Sequence, residues 1–119
     1  MLYLAQPYSI NASAQRMHER YLYGLKKTAE YTKLGLAIFS PIVSSHLMTL
    51  EHDMPCTWDF WQTVDKKFLD ASSEVYCLMM QDWDKSVGVH AELCYARSIG
   101  IPIKYIECPD EFEVIEKVA

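Results

Sequence analysis

Long apolar runs are missing from this sequence of 119 residues. No stretch approaches the roughly 18 residues of a bilayer span, so no membrane partner is expected. Cationic excess is missing too. Eleven lysines and arginines against 16 aspartates and glutamates leave a formal net charge of −5. That balance lacks the positive field that duplex nucleic acid requires, although local donors can still hold a small anion. The four cysteines, Cys56, Cys77, Cys94 and Cys108, show no CxxC spacing. Cys77 and Cys94 fall inside apolar patterns, and the set reads as buried free thiols in a reducing compartment. His46, His52, Asp53, Cys56 and Asp59 match no standard zinc module, so no metal is expected. GxGxxG, Walker and nucleophile-elbow sequences are absent, which disfavours dinucleotide, P-loop and α/β-hydrolase chemistry and leaves no cofactor expected. No basic segment leads into an apolar one at the start, so the expected location is cytoplasmic. Repeats, linkers and low-complexity segments are also missing, and residues 1–119 are read as one domain.

Half of the residues are apolar, a globular composition, and eight Tyr, three Trp and four Phe supply bulk for a core and a stacking pocket. Strand-like runs fall at Leu2–Ala5, Leu36–Phe39, Val75–Met79 and Ile103–Ile106. Helical spacing runs from Ser13 to Leu34, where Ala14, Met17, Tyr21, Leu25 and Ala29 recur on one side and Gly35 takes the expected left-handed cap. Further helices are expected from Trp58 to about Ala71, from Gly88 to Ile99, and from Glu111 to Val118. The stretch from Ile42 to Cys56 shows no clear period and is read as a long loop. Continuous apolar strands alternating with helices predict a doubly wound, Rossmann- or flavodoxin-like α/β fold. Its parallel sheet should have four or five strands, with helices on both faces and ligands at the strands' carboxyl ends.

The most informative residue is Glu92. On its helix, Val89, Glu92, Leu93, Ala96 and Ile99 form the sheet-facing stripe, which desolvates the carboxylate in its middle. Either Glu92 is paired or peripheral, or it is a reactive group. Ser86 and Gly88 precede that helix, where free N–H groups attract anions. A rise of about 1.5 Å per residue sets Ser86 and Glu92 about 9 Å apart along the axis, enough for one ligand to offer a phosphate to one and a sugar carbon to the other. Asp65 shares a helix face with Trp58, Trp61 and Phe68, an unusual setting for a carboxylate unless it merely flanks the core. Two carboxylates in apolar surroundings can be driven to different pKa values. Tyr8, after Pro7, is either core or part of a pocket. Arg16 is either a solvated surface charge or an anion ligand.

Three segments together resemble the nucleoside 2-deoxyribosyltransferase superfamily. Tyr3-Leu4-Ala5-Gln6-Pro7-Tyr8 is similar to its opening strand and tyrosine loop, and Phe39-Ser40-Pro41 to the end of its second strand. Ser86-Val87-Gly88-Val89-His90-Ala91-Glu92-Leu93-Cys94-Tyr95-Ala96 is similar to its catalytic helix. The resemblance runs from Leu2 to about Tyr105. It implies Glu92 as the nucleophile at the anomeric carbon, Asp65 as the acid assisting the leaving base, and Tyr8 as the tyrosine that orients glutamate and sugar. It also implies Gly88, Ser40 and Trp61 around the substrate.

Where the transferases carry an aspartate that binds a free 5′-hydroxyl, this sequence has Ser86. A neutral hydroxyl tolerates a phosphate that an aspartate would repel. In this the chain is similar to the 2′-deoxynucleoside 5′-phosphate N-hydrolases, with Arg16 as a second phosphate ligand. The expected activity is hydrolysis of the N-glycosidic bond of a nucleoside 5′-monophosphate. Base exchange by a transferase and nucleotide binding without turnover are the alternatives. A homodimer or larger homo-oligomer is also expected, both from the resemblance and from the aromatics Tyr21, Tyr23 and Trp61.

Overall fold

The computed structural model describes residues 1–113. Four strands, β1 (Leu2–Ala5), β2 (Ile38–Phe39), β3 (Glu74–Met79) and β4 (Ile103–Glu107), alternate with α1 (Ala14–Lys33), α2 (Pro41–Glu51), α3 (Trp58–Asp70) and α4 (Val87–Ser98). All strand pairs are parallel, in the order β2-β1-β3-β4. The register sets Leu2 against Ile38 and Glu74, and Val75 against Ile103. This is the expected doubly wound α/β sheet, with four strands. Strand order reverses between β1 and β3, and their carboxyl ends open the crevice where such sheets bind ligands.

Side-chain alternation along the strands divides the core in two. Tyr3, Ala5, Val75 and Cys77 pack with Leu69 of α3 and Val89, Leu93 and Ala96 of α4. Leu4, Leu78 and Met80 pack with Tyr23 of α1 on the other face. Helices therefore cover both faces, which is why the strands read as unbroken apolar runs. At Gly24 the helix comes so close to the carboxyl end of β1 that an added Cβ would stand 2.0 Å from the Gln6 Oε1. Ser13 caps α1 by accepting from the Arg16 N–H, and Gly35, at φ 85°, takes the left-handed position beyond its end.

Four expectations need correction. The segment read as a long loop contains α2, an 11-residue helix with Ser40 at its N-cap and Pro41 in its first turn. Its buried residues, Pro41, Ser45, His46 and Thr49, fall at helical spacing but are mostly polar, while Leu47, Met48 and Leu50 face solvent. An apolar-period reading therefore has nothing to find. Tyr23 is fully buried and Tyr21 and Trp61 are half-buried, so the exposed-aromatic reason for a homodimer fails. Cys94 and Cys56 are exposed rather than core thiols, and only Cys77 is fully enclosed. Ile99 is exposed, at the end of the stripe that Val89, Glu92, Leu93 and Ala96 bury. The terminal helix expected from Glu111 lies mostly outside the described residues, and Glu111 itself sits in a turn.

Candidate functional site

A cleft of about 340 Å³ opens at the carboxyl ends of β1 and β3. The loop after β1 supplies Gln6, Tyr8, Ser9 and Ile10. α2 supplies Pro41, Ile42, Ser45 and Thr49, α3 supplies Trp58, Trp61 and Asp65, and the start of α4 supplies Ser86, Val87, Gly88 and Glu92. Residues separated by more than 80 positions in sequence are thus joined by the crossover topology.

Glu92 projects from the sheet-facing side of α4 and is only 5% exposed. Its Oε2 accepts a hydrogen bond from the Tyr3 hydroxyl, itself wholly buried on β1. Burial drives the Glu92 carboxyl up to about 8. The Tyr3 hydrogen bond pulls it down in part, and the nearby Asp65 charge pushes it up again. Asp65, buried on α3 and lining the cleft with Trp58 and Trp61, is raised by desolvation to about 6. Desolvation raises both carboxyls, and Glu92, the more deeply buried, is the harder to ionise, so the two can share a single proton.

Ser86 is the N-cap of α4, and its Oγ accepts from the Val89 N–H at 3.2 Å. Its own proton is left to donate into the cleft. With the unpaired amides of the first turn and the positive end of the helix dipole, this corner suits an anion. Gly88 leaves that corner open: a Cβ there would meet nothing closer than the Ser86 Oγ at 3.9 Å.

Of the residues singled out from sequence, Glu92, Asp65, Tyr8, Ser86, Gly88 and Trp61 meet in this cleft. Arg16 does not. Its guanidinium is bound to the buried Glu111 carboxylate and lies over the Phe112 ring, so the expected second phosphate ligand is committed elsewhere. Ser40 is a helix cap, its Oγ accepting from the Val43 N–H at 3.1 Å, and is not among the lining residues. Tyr8 lines the cleft, but its hydroxyl meets His46 Nδ1 at 2.5 Å, and the tyrosine hydrogen-bonded to Glu92 is Tyr3. Tyr3 escaped the sequence reading because a tyrosine in a buried strand looks like core. Its one signal is parity, since Tyr3 and Ala5 point to the same face as α4.

Stability should record the cost of ionising Glu92. A carboxyl raised from 4.5 to about 8 stays protonated in the folded chain after the unfolded chain has ionised. The stability this brings is complete below about pH 4.5 and is lost as pH rises toward 8. Asp65 adds the same sign, finishing near pH 6. Buried His46, whose pKa is lowered by desolvation, acts in the opposite direction around pH 6.5. Comparison with Glu92→Gln isolates the glutamate. Between pH 5 and 8 the wild type should lose on the order of 3–5 kcal/mol relative to the mutant. Urea midpoints at the two pH values measure this, and parallel curves would show that Glu92 ionises freely.

No curated protein matches the chain. The family described as a domain of unknown function (DUF1937) matches residues 1–107. That span takes in all four strands, all four helices and every residue lining the cleft. The chain is thus a member of the DUF1937 family.

Proposed function

We propose that this protein hydrolyses the N-glycosidic bond of a nucleoside 5′-monophosphate, releasing free base and sugar phosphate. The observation that carries the reading is the pair of buried carboxylates, Glu92 and Asp65, in one cleft with a helix N-terminus and two tryptophans. A phosphate fits the Ser86 corner, a planar base fits against Trp58 and Trp61, and the sugar then lies over Glu92. The resemblance to the nucleoside 2-deoxyribosyltransferase superfamily supports the same assignment. Arg16 and Ser40 play no part in it.

The chemistry follows from the shared proton. Attack needs an ionised Glu92 and base departure needs an acid, which is the same total protonation with the proton moved to Asp65. Positive charge developing at the anomeric carbon favours the Glu92 anion and draws the proton across. Glu92 then forms a bond to the anomeric carbon as the C–N bond breaks and Asp65 protonates the base. Water afterwards cleaves the glycosyl ester, its proton returning to the pair, with overall retention.

Incubation with a mixture of nucleoside monophosphates, read for free base, tests the activity. Absence of any base would refute it, and base exchange instead of release would make the protein a transferase. The pH dependence of kcat/KM should be bell-shaped, with limbs near 6 and 8. Tyr3→Phe removes the hydrogen bond that favours the Glu92 anion. It should lower kcat/KM by about tenfold and move the alkaline limb upward, since one pKa unit corresponds to tenfold. An unmoved limb in this variant would show Tyr3 to be core packing alone.

A further inference from the structure

A hydrogen-bonded chain leads from the cleft to the protein surface through α2 and α1. The Tyr8 hydroxyl in the cleft wall meets His46 Nδ1 at 2.5 Å, and His46 Nε2 meets His18 Nδ1 at 3.0 Å. His18 is exposed, whereas His46 is 1% exposed and has the Tyr21 ring stacked on it, centroids 4.3 Å apart at 22°. Burial and the neighbouring His18 depress the His46 pKa, and burial raises that of Tyr8. Both are therefore neutral near pH 7. The other titratable groups facing the chain are Tyr21, against His46, and Cys56, near Tyr8.

A neutral imidazole has one N–H donor and one acceptor nitrogen, and both nitrogens of His46 have partners here. The chain therefore has two complementary arrangements. In the first, Tyr8 donates to Nδ1, His46 donates from Nε2 to His18, and the Tyr8 oxygen offers lone pairs to the cleft. In the second every donor is reversed, and the Tyr8 O–H points into the cleft.

We propose that Tyr8, His46 and His18 form a proton relay between the cleft and bulk water. A proton from cleft water binds the Tyr8 oxygen as the original hydroxyl proton passes to His46 Nδ1. The Nε2 proton of His46 passes to His18 Nδ1, and His18 releases its own Nε2 proton to solvent. One proton leaves the cleft, every side chain ends neutral, and the first arrangement has become the second. The reverse sequence carries a proton inward. The need for such a path rests on the glycosidase reading. The cycle returns its proton to the pair, but a seated nucleotide covers both carboxylates, so the one-proton state that each turnover starts from has to be set against bulk water by another route. His46 and His18 are positioning residues in this scheme, since neither lines the cleft.

His18→Ala is the decisive variant, because an exposed residue on α1 can be removed without opening the core. In dilute buffer its kcat should fall about tenfold or more with KM unchanged, and added imidazole should restore it. Unaltered kcat, or a loss confined to KM, would overturn the relay. A second measurement does not depend on turnover: histidine ¹⁵N spectra followed through a pH titration. A proton entering from solvent arrives at the surface end of the chain, so His46 should switch from the Nε2–H to the Nδ1–H tautomer as the pH is lowered. His18→Ala should abolish that switch. A His46 tautomer that stays fixed across the pH series would also overturn the relay. If the wild type releases no base yet the switch occurs, the glycosidase reading fails and the relay stands.

Discussion

Glu92→Gln should eliminate base release, by roughly 10⁴-fold or more, while nucleotide binding survives. The amide has the shape of the carboxylic acid and can still accept the Tyr3 hydroxyl, so the buried side chain keeps its known partner. It cannot act as the nucleophile, and it offers no negative charge to an oxocarbenium-like transition state. It also removes an ionisable group from an apolar site, so the mutant should be the more stable protein at pH 8. Loss of activity together with gain of stability separates a functional carboxylate from a structural one. Base release under saturating nucleotide, a binding isotherm and a urea midpoint complete the test. Near-normal turnover by this mutant would sink the glycosidase mechanism.

Ser86→Asp should divide nucleotides from nucleosides. A 5′-monophosphate brings close to two negative charges at neutral pH. On the proposed reading it would meet, in the wild type, a hydroxyl donor, unpaired amides and the positive end of the α4 dipole. Aspartate is as good an N-cap as serine and can take over the bond from the Val89 N–H, so helix and fold should persist. Its charge, however, lies within a few ångströms of the phosphate. Repulsion of about 2–4 kcal/mol is expected at an intermediate effective dielectric, a loss of roughly 30- to 1000-fold in kcat/KM for the monophosphate. The free nucleoside carries no phosphate, so its weaker turnover should hold or improve as the aspartate accepts the 5′-hydroxyl. Equal losses for both substrates would mean that Ser86 acts only as a helix cap. Because Arg16 is engaged by Glu111, the proposed discrimination would fall to Ser86 and the helix amides rather than to Arg16.

The sequence by itself determined the fold class, because its buried strands are unbroken apolar runs and its helices α1, α3 and α4 carry readable caps or apolar stripes. It also marked Glu92 and Asp65, since a carboxylate on an apolar stripe breaks the local pattern and so becomes visible. What it concealed lies where polarity and burial part company. α2 turns polar residues inward, against the cleft and α1, and apolar ones outward, so the period that reveals other helices is inverted. Tyr3 follows the core pattern perfectly, and nothing in one strand tells whether its hydroxyl ends on a partner 89 positions away. Arg16 and Ser40 look available in sequence because a side chain's competitors are not visible there. Tertiary structure assigns them to Glu111 and to the α2 cap. The contacts of Tyr8, His46 and His18 were likewise decided in three dimensions. They join a loop and two helices that meet only once the parallel crossovers have folded onto the sheet.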